Sequence, residues 1–232
     1  MKALPWANNS QPTNNDALES FGAIEEHLVK ARAEIKRRNV SSPDTIAAML
    51  LPVDDMLEAW RKSLPEAWYF KSYKNLVAAT EPKGYTPDHD VYSGLDVAVM
   101  WNAYRSSRIM VHDAILTSTL QHGSASHMER LQYSIETLKQ MSDGICQSAR
   151  YYLFHSSSGG KAGGSTPMTW PETLSASGCL LLFWPLYSAG LLWTTSKEQQ
   201  CWISAVLRRI GRHLGLELAI SMAAKLEGLE PC

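Results

Sequence analysis

The chain has no surplus of positive charge: Lys+Arg 22 stand against Asp+Glu 23, a formal net charge of −1. Proteins that hold nucleic acid neutralise phosphates with clustered cations, so no nucleic acid partner is expected for this chain alone. Metal-binding cysteine spacing is missing too. The four cysteines, Cys146, Cys179, Cys201 and Cys232, lie too far apart for a CxxC pair and are expected to be buried free thiols. The stretch MKALPWANNSQPTNND at residues 1–16 lacks the apolar centre of a secretion signal. Residues 1–14 therefore read as a disordered lead, and an intracellular location, cytoplasmic or nuclear, is expected. No GxSxG, Walker, GxGxxG or HExxH pattern occurs, so neither a cofactor nor a metal is expected. Phenylalanine is scarce at 4 against 8 Trp and 9 Tyr, which favours large rings with a polar handle.

What is present is helical. Among 232 residues, 45% are hydrophobic, enough to bury a core without staples. Apolar residues recur at three and four through Leu18, Phe21, Ile24, Leu28, Ala31 and Ile35, predicting a helix over 15–39. Ser42-Pro43 is a helix start, followed by the stripe Ile46, Met49, Leu50, Val53, Leu57 and Trp60. Residues 65–87 read as an irregular connector broken by Pro65, Pro82, Gly84 and Pro87. Helices are then expected over 88–120, 126–154, 174–194, 197–214 and 216–227, with Gly215 as a stop. Residues 156–167, SSSGGKAGGSTP, read as a flexible loop. No period-two run is long enough to predict a strand. The expectation is an all-α fold, a single irregular bundle of about seven helices forming one domain over 15–232.

The uncharged segment 176–193, ASGCLLLFWPLYSAGLLW, barely reaches membrane-spanning length and contains Pro185. It is expected to be a core helix kinked or interrupted by that proline, and no membrane partner is expected.

Two motifs invite chemistry. DDMLE at 54–58 has the DDxx(D/E) form with which terpene synthases hold magnesium, but no distal second motif accompanies it. Acidic positions on the wet side of a helix explain it as well. Arg105, Arg108 and His112 are spaced at three and four on one helix. Such a row could bind a carboxylate or phenolate, or form surface ion pairs.

Three collinear stretches carry a resemblance. They are the helix with Trp101, Asn102, Tyr104, Arg105, Arg108 and Ile109, the segment with Ile145, Cys146, Ser148, Tyr151 and Leu153, and the helix with Leu181, Leu182, Trp184, Pro185, Leu186 and Tyr187. In order and spacing they resemble the C-terminal half of the fungal-specific transcription-factor regulatory domain, which follows a zinc binuclear cluster in fungal regulators. The zinc cluster and its DNA-reading module are absent from this sequence, and Arg150 stands where the family usually has proline. The chain is accordingly either an excerpt of a longer regulator or a stand-alone relative of one.

The resemblance implies a helical effector-sensing protein that does not itself bind DNA and handles a hydrophobic small molecule in fungal secondary metabolism, with a homodimer as a further expectation. Trp101, Tyr104, Arg105, Arg108, Trp184 and Tyr187 are the expected ligand-binding residues. The alternative is a cofactor-independent biosynthetic enzyme, a cyclase, cycloaddition catalyst, isomerase or dehydratase acting on a polyketide or terpenoid. It would pre-organise its substrate in an aromatic-lined cavity. Its candidate catalytic residues are Asp90, Tyr92, His112, Arg150 and Tyr151.

Overall fold

A computed structural model describes residues 14–74, 84–122, 125–154 and 174–229. Residues 1–13 of the expected lead over 1–14, and the loop over 156–167, lie outside the described residues, while Asn14 opens the first helix. Seven α-helices occur among those described: α1 (Asn14–Arg37), α2 (Pro43–Ser63), α3 (Leu95–His122), α4 (Met128–Phe154), α5 (Ala176–Gly190), α6 (Lys197–Leu214) and α7 (Glu217–Leu229). The fold is all-α in class. It also holds a two-stranded antiparallel sheet, β1 (Lys71–Tyr73) with β2 (His89–Val91), in the register Ser72 opposite Asp90.

That sheet corrects the sequence reading, which found no strand and began a helix near residue 88. Three-residue strands are too short to show alternation. Pairing of His89–Val91 with Lys71–Tyr73 holds the chain extended up to the bend at Ser93, so α3 starts at Leu95. The Ala98 amide donates to the Gly94 carbonyl as the first helical bond, at 3.1 Å.

The chain divides into two compact units. Unit 1 comprises Met1–Tyr69 and Met110–Ile135, and unit 2 comprises Phe70–Ile109 and Glu136–Cys232, so α3 and α4 each contribute to both. In unit 1, α1 packs on α2 through Phe21, Ile24 and Leu28 against Leu50, Val53, Leu57 and Trp60, all buried. The Phe21 and Trp60 rings are 4.8 Å apart, and the Trp60 indole N–H donates to the Ala17 carbonyl at 2.9 Å. This phase of α1 buries Ala17 and leaves Leu18 half-exposed, although Leu18 opens the predicted stripe. As the Ser-Pro pair predicts, Ser42 caps α2, its hydroxyl accepting from the Thr45 amide.

In unit 2, α5 packs on α6 and α7, and α6 on α7. Gly178 at the start of α5 lies so close to the Tyr152 backbone that a Cβ would collide with it. Pro185 sits inside α5, which runs uninterrupted to Gly190. No described helix is long and apolar enough to cross a membrane. Gly215 ends α6 with φ of 65°, a left-handed conformation that glycine adopts without strain. Cys146 and Cys179 are free and buried, as expected, whereas Cys201 takes part in a disulfide, contrary to the expectation of a free thiol.

Candidate functional site

Several candidate side chains of unit 2 converge on Arg105. The short sheet sets Asp90 in the middle of β2 with its side chain fully buried. A buried carboxylate needs donors, and three converge on it. Ser72, its partner across the sheet, donates from its hydroxyl to Oδ1 at 2.7 Å; the Tyr92 hydroxyl donates to Oδ2 at 3.1 Å, and Arg105 Nη2 to Oδ2 at 3.0 Å. Arg105 Nη1 donates to the Tyr92 hydroxyl at 2.7 Å and to Asn102 Oδ1 at 3.0 Å. Asn102 then donates to Ser148 Oγ at 2.9 Å, and that hydroxyl donates to the Ile145 carbonyl. The chain of bonds joins β1, β2, α3 and α4.

Aromatic rings surround the cation. The guanidinium carbon lies 5.1 Å from the Phe70 ring centre, 5.7 Å from that of Trp101 and 6.0 Å from that of Tyr92, within reach of cation–π attraction. Phe70 and Trp101 pack edge to face at 4.8 Å, Trp101 and Tyr104 at 5.6 Å, and Tyr92 and Tyr151 at 5.2 Å. Gly144 on α4 makes the space: a Cβ there would come within 2.6 Å of Arg105 Nε. Burial raises the Tyr92 phenol well above the ordinary range, partly offset by Arg105. Burial alone would lower Arg105, but the Tyr92 and Asp90 acceptors outweigh it and hold the guanidinium firmly charged.

Among the described residues of this unit, three buried side-chain polar atoms have no hydrogen-bond partner: His89 Nδ1 on β2, next to Asp90; the Tyr152 hydroxyl, which lies by the Asn102 side chain without an aligned hydrogen bond; and Thr194 Oγ1, in the segment joining α5 to α6. Burial and the positive charge of Arg150 keep the His89 imidazole below its ordinary pKa.

The sequence-predicted residues divide as follows. Asp90, Tyr92, Arg105, Trp101, Tyr104 and Tyr151 form one group. Arg150 is half-buried on α4, its guanidinium carbon 5.8 Å from the Phe154 ring centre. Arg108 lies over the Tyr104 ring at 5.8 Å and donates to its hydroxyl at 3.2 Å. Trp184 is 57% exposed on α5, packed beside Phe183 and Tyr187, so it lines no interior. Arg105 and Arg108 are buried, and so is His112, which rules out a solvent-facing row of ion pairs.

His112 belongs to unit 1. Its Nδ1 is 3.2 Å from Ser134 Oγ, and its Nε2 is 3.2 Å from Asp54 Oδ2, at ion-pair distance but without hydrogen-bond alignment. The Tyr133 hydroxyl donates to the same Asp54 oxygen at 3.3 Å. A Ser–His–Asp set is thus present in composition. However, Ser134 and His112 are fully buried in helices, and a nucleophile must be reachable. Asp54 points inward while Asp55 is exposed and Glu58 pairs with Arg61 at 2.9 Å. The DDMLE acids therefore do not gather, and no group able to hold a metal exists among the described residues.

Sequence reasoning missed Ser72, Gly144 and Ser134, and His89 was not among its candidate site residues. His89 and Asp90 are neighbours in the sequence, but only the sheet shows that the His89 ring stacks on Tyr73 while Asp90 accepts from Ser72, Tyr92 and Arg105. The site defines a class, an all-α protein with a buried arginine–carboxylate network inside an aromatic group. Beyond that class, no family model, curated protein or solved structure matches the chain.

Proposed function

We propose that the chain is a helical ligand-binding protein of regulatory type, similar to a fungal transcription-factor effector domain. It does not bind DNA itself, and it takes a hydrophobic small molecule of fungal secondary metabolism. The observation that carries this reading is that two of the unpartnered buried polar atoms among the described residues, His89 Nδ1 and the Tyr152 hydroxyl, lie in the unit that holds the aromatic group. An unpaired buried polar atom costs about 1–3 kcal/mol, and a ligand with a few polar groups would relieve that cost. Rigid rings beside convergent polar groups suit such a ligand. Native mass spectrometry of the protein after incubation with fungal metabolite extract tests the reading. A bound mass is expected, together with a raised unfolding temperature. No retained mass and no thermal shift across extracts would overturn it.

The enzymatic alternative has no comparable observation behind it. Asp90 already accepts from Ser72, Tyr92 and Arg105, which makes it a poor base. The buried Tyr92 phenol holds its proton strongly. An intracellular location belongs to the same proposal, and the Cys201 disulfide is the observation against it, since disulfides persist in oxidising surroundings. Thiol counting on protein lysed under acid quench decides the point: a reduced Cys201 supports the proposal.

A further inference from the structure

We propose that the exposed face of α5 is where two copies of this chain associate, through an uncharged helix-to-helix contact centred on Trp184. The inference concerns the surface of unit 2 and is independent of the ligand-binding reading above.

The inward side of α5 is ordinary: Leu182, Leu186 and Ala189 are fully buried. A helix covered on one side normally turns polar and charged residues to the other. Here the other side is apolar as well. Leu180, Leu181 and Trp184 are each more than two-fifths exposed, and so are Leu191 and Trp193 just past the helix end. Steps of four, three and seven relate Leu180, Leu181 and Leu191 to Trp184, which sets the indole in the middle of one face. The Trp184 ring packs beside Phe183 at 6.2 Å and Tyr187 at 6.0 Å. An aromatic side chain supported in this way loses little freedom when it is covered.

The five side chains leave on the order of 500 Å² of apolar surface open, toward the upper end for a monomer. Two copies face to face would cover about 1,000 Å², the least that a specific interface needs. Charge identifies the occupant. A twofold contact sets a patch against itself, so any charge close to the axis meets its own like. Residues 176–196 contain no Asp, Glu, Lys, Arg or His, and the face therefore opposes itself without desolvating a charge. A lipid surface is a poorer match, because helices seated on membranes carry Lys and Arg along their polar side. The first charges after α5, Lys197 and Glu198, cancel. A convex helix face also lacks the enclosure that small ligands use.

Sedimentation equilibrium of the whole chain over a concentration series tests this. A dimer is expected with a dissociation constant of about 1–100 µM, in keeping with an interface at the small end of the range. Trp184→Arg and Leu181→Arg should each weaken it roughly thirtyfold or more, the loss carried by a residue central to an interface. Both side chains lie outside the core, so the far-ultraviolet circular dichroism of the variants should be unchanged. The unaltered protein supplies a readout that needs no variant: its tryptophan emission should move to the blue, and lose iodide access, as concentration rises through the dissociation constant. Below it, Trp184 and Trp193 stand in water. A monomer throughout the series overturns the proposal. A dimer that both substitutions leave intact overturns it too, since the contact then lies elsewhere. Binding of the monomer to phosphatidylcholine or phosphatidylserine vesicles, lost in Trp184→Arg, would assign the face to lipid and overturn it equally.

Discussion

Arg105 is the side chain whose loss unit 2 can least absorb. Replacing it by Met fills the space of its stem but leaves Asp90 charged, buried and short of a partner. Removing one member of a buried pair costs about 3–5 kcal/mol, and urea unfolding of Arg105→Met should show a loss of that size. Gly144→Ala acts on the same contact from the other side, because the new methyl must displace Arg105 Nε. A cost of about 1–3 kcal/mol is expected from this overpacking. Combined, the two changes should cost clearly less than their sum, since the clash disappears with the guanidinium. An additive pair would show that Gly144 is needed for another reason.

The helix ends in unit 2 make predictions that do not depend on any ligand. Ser196 caps α6 by accepting from the Gln199 amide at 3.2 Å, and Ser196→Ala should cost about 1 kcal/mol. Gly215→Ala should cost about 1 kcal/mol as well, since alanine resists the left-handed conformation; both are read from denaturant midpoints. The Gly215 end was legible in the sequence, as was the start of α2 in unit 1. Ser42-Pro43 and Gly215 are local signals, and a cap needs only its own few neighbours. The apolar stripe of α2 was legible for a related reason: Ile46, Leu50, Val53, Leu57 and Trp60 all fall on the buried face. The β1–β2 pair was not legible, since each strand is three residues long and its pairing spans a long connector. The site was legible in half. Asp90, Tyr92, Arg105 and Tyr151 were singled out, but helical spacing joined Arg105 to His112. Their actual partners, Asp90 and Asp54, come from other elements and carry no spacing signal.

Across the whole molecule, two sets of titrating groups act in opposite directions. His89 is held below its ordinary value of 6.5 by burial and Arg150, so the unfolded chain binds its proton more readily. Stability from His89 is thus complete above that value and is lost as pH falls through it toward the folded one. Asp113 and Asp143 are both raised by burial. Their contribution is complete below the ordinary value of 3.8 and is lost as pH rises toward their folded values. Asp113→Asn should therefore raise the unfolding temperature near neutral pH, and the gain should vanish toward about pH 4, as calorimetric scans across pH would show. Burial pushes the Cys146 thiol up to about 12 and the Cys179 thiol to about 11, which suppresses the reactive thiolate. A disulfide reagent should label neither in the folded protein at mildly alkaline pH. Both should become reactive at one denaturant midpoint, because both belong to unit 2.

The placement of the tryptophans has an optical consequence. Trp60 in unit 1 and Trp101 in unit 2 are sealed from water, whereas Trp184 and Trp193 are more than half exposed. An aqueous quencher such as iodide should extinguish the red-shifted emission of the exposed pair and leave the blue emission of the enclosed ones. With Trp60 replaced by Phe, the emission that survives quenching weights unit 2 more heavily. With Trp101 replaced instead, it weights unit 1. The order in which the two units come apart then becomes visible as colour.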